Sequence, residues 1–186
     1  MSNGILLVSF FAFGLVAGGC GRSDDVSPTG REEPIRADWG LVLSGEEAQQ
    51  LLKTCSRPRP PGLSGAWTPG RTEIDRLEKR LPAVLGHALA RILPEEGQTV
   101  PVPTDYYRQY AGFYQRGQRV VYINGLHRHI LEFPGREDLN GWTRKAMGGC
   151  DLGASAFDLV YDVDTDRFGA VDFDGRFNGE VRMRWF

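Results

Sequence analysis

From residue 105 onward the apolar residues of this chain stop recurring every third or fourth position and begin to alternate, which limits the folds open to it. Before that point Ile74, Leu77, Leu81, Val84 or Leu85, Ala88 and Ile92 make one apolar helical face about five turns long. Pro82 should kink that helix or divide it in two, and Pro94 stands where a stop is expected. After it, Tyr106 to Tyr114 leads through Gln115-Arg116-Gly117-Gln118 into Arg119-Val120-Val121-Tyr122-Ile123-Asn124, a hairpin pattern with glycine in the turn. A second pair runs from Ala156 to Tyr161 and from Phe168 to Phe173. Glu180 to Trp185 predicts a last strand with Val181, Met183 and Trp185 inward.

Upstream, Ser44-Gly45-Glu46-Glu47 has the form of a capping box opening a short helix towards Cys55. Arg57-Pro58-Arg59-Pro60-Pro61-Gly62 is too rich in proline for helix or central strand and reads as a stiff connector. Thr68-Pro69 fits the N-cap and first position of the main helix. Helices first and hairpin-linked strands afterwards imply an α+β fold: an antiparallel sheet of about four to five strands with one main helix packed on a face. That order is similar to cystatin-like helix-on-sheet domains, an architectural analogy that does not fix function.

The N-terminus carries the address. Gly4 to Gly14 is almost entirely apolar and is followed by Leu15-Val16-Ala17-Gly18-Gly19-Cys20, the layout of a secretory signal with small residues at its cut site. The run is shorter than the roughly 20 residues that span a bilayer. A cysteine directly after the small residues resembles the lipobox of bacterial lipoprotein precursors, as in the small envelope lipoproteins of Gram-negative bacteria. The resemblance covers residues 1–20. Met1-Ser2-Asn3 lacks the usual basic residue, and Ala17 stands where the pattern favours Leu. The resemblance implies cleavage before Cys20, acylation of its thiol, and, because Gly21 rather than Asp follows, the periplasmic face of the outer membrane. One acyl chain holds only reversibly, so the several chains of such lipoproteins imply durable anchoring. The organisation expected is therefore a signal peptide (1–19), a lipidated Cys20 with a polar linker (20–37), and a single α+β domain (38–186).

Charge excludes some partners. Lys and Arg number 22 against 24 Asp and Glu, so no basic excess argues for nucleic acid. Among side chains that could do chemistry, His127 and His129 would share a face on a strand and could approach one metal, but two ligands are fewer than a closed site needs. His87, the remaining histidine, falls on the helical segment. Asp162-Val163-Asp164-Thr165-Asp166 resembles the opening of a calcium loop, yet Arg167 and Phe173 occupy the places of its glycine and bidentate Glu, so a hairpin turn is expected. The glycine-dense stretch Gly148 to Ser155 reads as a turn-rich strand entry. No nucleophile elbow, phosphate loop or dinucleotide fingerprint occurs, and no catalytic residue, metal or cofactor is expected. Tyr106, Tyr110 and Tyr114 alternate onto one face and form the candidate binding surface.

The activity expected is non-catalytic binding of an envelope protein, of inhibitor or immunity type. The alternatives are an envelope hydrolase with dispersed acidic residues and a purely structural envelope component. With Cys20 acylated, Cys55 and Cys150 remain, and in an oxidising compartment such a pair is expected to be bridged. The loop so closed, about 100 residues, would be stabilised by at most about 4.7 kcal/mol in the chain-entropy model. Alkylating exported protein should leave Cys55 and Cys150 unmodified until reductant is added; immediate alkylation of both would exclude the bridge.

Overall fold

The computed structural model describes residues 36–37, 40–53, 59–92, 99–131 and 141–174, all within the second of the two units, Met1–Glu32 and Glu33–Phe186, into which the chain divides. Its centre is a meander of three ten-residue antiparallel strands, β4 (Tyr106–Gln115), β5 (Gln118–His127) and β6 (Gly153–Asp162). The β4–β5 turn has only two residues, Arg116 and Gly117, both at positive φ (52° and 86°). That geometry follows the right-handed twist of paired strands, and it sets the register from Gln115↔Gln118 to Tyr106↔His127.

Short strands line both outer edges of the meander. Along β4, β2 (Gly40–Leu43) runs parallel to residues 108–111, and β3 (Leu63–Trp67) runs antiparallel to residues 112–115. β1 (Arg36–Ala37) pairs with β2. Along β6, β7 (Arg167–Phe168) meets residues 161–162, and β8 (Asp172–Asp174) pairs further back, from Asp158 to Gly153.

The expected architecture needs correction. The fold is α+β, but the sheet is mixed and has eight strands among the described residues, and the helices are four separate pieces. β2 was illegible because all four of its residues are buried, which removes the alternation that marks a half-exposed strand. β3 begins directly after the proline-rich connector. The long apolar face divides into α2 (Arg71–Glu78) and α3 (Leu81–Leu89). Proline at 82 would clash with the carbonyl of residue 78 inside a continuous helix but is tolerated in the first turn of α3. α2 starts one residue after Thr68-Pro69, with Gly70 at its N-cap and the Gly70 amide donating to Glu73 Oε2 at 3.1 Å. α1 (Gly45–Leu51) has Ser44 at its N-cap without a side-chain bond, and Glu47 instead accepts from the Ala146 amide at 2.7 Å. The strand expected over 180–185 lies outside the described residues.

Both faces of the sheet are covered. On one, Tyr106, Tyr110, Val121, Ile123, Phe157, Leu159 and Tyr161 pack against Ile74, Leu77, Leu81, Leu85 and Ala88 of α2 and α3. On the other, Ala111, Phe113, Val120 and Tyr122 meet Leu41, Leu43, Ala48 and Leu51, with Trp142 and Ala146 against them. Among the described residues no helix is long and apolar enough to cross a membrane.

At Gly125 on β5 a Cβ would stand 2.0 Å from Cε1 of Phe157, the core ring paired with it across to β6. Gly125→Ala should therefore strain the core and lower stability by about 1–3 kcal/mol, read as a lower urea midpoint at unchanged m-value. An unchanged midpoint would contradict the packing at this position.

Candidate functional site

Three clusters of polar side chains lie in the sheet. The first ties a helix to it. Arg108 on β4 is buried, and its Nε and Nη2 each lie 2.9 Å from a carboxylate oxygen of Glu78 at the end of α2. Its Nε also donates to the Tyr110 hydroxyl, which itself donates to Glu78. Burial pushes the Tyr110 phenol well up, and the Glu78 charge adds to it, so the phenol stays protonated.

The second cluster crosses the opposite face. Gln109, Asn124 and Asp158 are buried and stand opposite one another on the three central strands. Gln109 Nε2 donates to the carbonyls of Trp142 (2.7 Å) and Lys145 (2.6 Å), and its Oε1 accepts the Met147 amide (2.9 Å). Asn124 Nδ2 donates to the Met147 carbonyl, and Tyr122 donates to Asp158. The Gln109 and Asn124 bonds fasten segment 142–147 over the sheet.

The third cluster lies where β4 begins, β5 ends and β6 begins. It joins Asp105, in a 3₁₀ turn over Pro103–Asp105, with His127, His129 and Ser155. Sheet pairing places His127 opposite Tyr106, and their rings meet edge to face at 5.4 Å. α4 (Arg128–Leu131), a single turn, then folds His129 back, so that the two imidazole rings lie 4.4 Å apart. β5–β6 pairing ends at Leu126↔Ala156, and beyond it Ser155 Oγ stands 3.5 Å from His129 Nε2. His127 Nε2 faces Asp105 Oδ2 at 3.6 Å, and Arg128 reaches Asp105 Oδ1 at 3.2 Å. Asp105 and His127 are mostly covered, whereas His129 is exposed and Ser155 half-buried.

The histidine expectation thus changes form. His129 sits on a helical turn rather than on the strand with His127, and the two rings meet because the chain turns back. Among the described residues no group of three or more His, Cys, Asp or Glu side chains could hold a metal. Asp105 and Ser155 had no local signal in the sequence; only the register of three strands brings them to the histidines.

The tyrosine surface also needs correction. Tyr106 and Tyr110 are fully buried under α2 and α3, and only Tyr114 is exposed, because the face they share is the core face. The aspartates at 162–166 form the expected turn: Asp162 Oδ1 accepts the amides of Asp164 and Thr165, both at 2.9 Å. Asp164 pairs with Arg119 and Asp166 with Arg80. Cys150 is disulfide-bonded, and Cys20 and Cys55 lie outside the described residues.

Compared with protein-family models, curated proteins and solved structures, the chain matches none.

Burial holds the His127 imidazole below its usual range, and His129 lowers it further, against the pull of Asp105. The fold therefore favours the neutral ring, and the unfolded chain takes up its proton first as pH falls through about 6.5. Stability contributed here is complete above that pH and is lost below it. Urea midpoints should fall between about pH 7 and pH 5, and His127→Gln should flatten that fall. An equally steep fall in the variant would assign the dependence to other groups.

Proposed function

We propose that this chain is an envelope lipoprotein, processed before Cys20 and acylated on that thiol. It would be held at the periplasmic face of the outer membrane by a linker of residues 20–37, with residues 38–186 as a binding domain for an envelope protein. The observation that carries this reading is the apolar run that closes in Ala17-Gly18-Gly19-Cys20. The disulfide at Cys150 supports an oxidising compartment, and Cys55 is the partner we propose for it. The sheet end that carries His127 and His129 is the surface we assign to binding. Exposed ionisable groups collect there beside Val102, an aliphatic side chain left 51% exposed. The Val102 amide donates to the same Asp105 oxygen that faces His127.

The anchoring reading is tested by growing cells that express the chain on labelled palmitate. The wild type should carry label and sediment with membranes, whereas Cys20→Ala should carry none and leave the membrane fraction. Equal incorporation into both proteins would refute it.

A further inference from the structure

The backbone amide of His129 donates to His127 Nδ1 at 3.2 Å, so that nitrogen presents its lone pair. A neutral His127 then carries its proton on Nε2, the atom that faces Asp105. His129 Nδ1 lies only 2.5 Å from the same lone pair and must bring a hydrogen to it. With its proton on Nδ1, neutral His129 has a lone pair on Nε2, and Ser155 Oγ is the group in front of it. Each assignment forces the next, and all four groups point one way. Ser155 donates to His129 and His129 to His127, while the His127 Nε2 proton faces the Asp105 carboxylate across 3.6 Å, longer than a hydrogen bond.

We propose that Ser155 is a nucleophile activated by His129, with His127 and Asp105 as the positioning residues behind it, and that the substrate class is a carboxylic ester. In the first step Ser155 Oγ forms a bond to the ester carbonyl carbon while its proton passes to His129 Nε2. The resulting imidazolium is stabilised through its Nδ1 proton by His127, whose own Nε2 proton is turned to the Asp105 carboxylate. Collapse breaks the bond between the acyl carbon and the leaving alkoxy oxygen, which takes the proton back from His129. Water then attacks the acyl-serine with His129 as base, releasing the carboxylic acid and returning the proton to Ser155. The separation of 3.5 Å between Ser155 and His129 belongs to a site without substrate, where such contacts are longer than in the reacting complex. Position supports the assignment: the acid end of the chain is covered and the nucleophile end reaches solvent. This activity goes beyond the binding role proposed above and does not depend on the anchor.

The test uses the full chain in detergent and a fluorophosphonate probe, which reacts with activated serines. Peptide mass spectrometry should find one probe per chain, on Ser155, with exposed Ser64 unlabelled as the internal control. Ser155→Ala should abolish labelling. His129→Gln, a change at an exposed side chain, should slow labelling at least about hundredfold at unchanged thermal midpoint. His127→Gln should slow it less and shift its pH profile, which a merely structural histidine would not do. Wild-type labelling at Ser155 no greater than at Ser64 would overturn the proposal. So would equal labelling rates in wild type and folded His129→Gln.

Discussion

The register fixed by the two-residue turn at Arg116–Gly117 governs the rest of the sheet. Because side chains alternate with a period of two, a slip of one residue would exchange everything on one face of β4 or β5 with everything on the other. Tyr106, Tyr110, Val121 and Ile123 would leave the core under α2 and α3, and Gln109 and Asn124 would enter it. The polar row that fastens segment 142–147, the ion pair that fastens α2 and the histidine cluster at the sheet end all follow from this one alignment. β6 extends it by pairing Leu159 with Ile123 and Asp158 with Asn124.

The buried polar groups divide by face and by task. Beneath the helices, half-buried Glu78 and buried Arg108 and Tyr110 satisfy one another, and removing Glu78 would leave the Arg108 charge without its partner. Across the sheet, Gln109 and Asn124 bond mostly to backbone groups of segment 142–147, which holds only a single 3₁₀ turn of its own. In these two clusters Arg108, Tyr110, Gln109, Asn124 and Asp158 are buried. The Asp105–Ser155 chain differs in this respect, since it begins under cover and ends at the surface.

The central hairpin was legible because alternation and turn chemistry agreed there: Tyr106 to Asn124 is read correctly down to the glycine in the turn. The division of the helix at Pro82 was legible for the same reason, as was the turn built on Asp162. What the sequence concealed is what depends on distant pairing. Leu41-Val42-Leu43 is an apolar run with no period, and its parallel partner lies in β4, far along the chain. Tyr106 and Tyr110 shared a face as expected, but burial of that face depends on where α2 and α3 pack. Glu47 left the expected capping box because the Ala146 amide, almost a hundred residues away, claims its carboxylate. The histidines stood out by residue type. Asp105 and Ser155 did not, because an aspartate before a strand and a serine in a glycine-rich stretch are ordinary residues until the strands align.

The central claim is that this alignment assembles a directional chain of protons at the sheet end, and ¹⁵N NMR of the imidazole nitrogens tests it most directly. At neutral pH the account predicts opposite tautomers in neighbouring rings, with the proton on Nε2 in His127 and on Nδ1 in His129. Finding both rings protonated on Nε2 would contradict it.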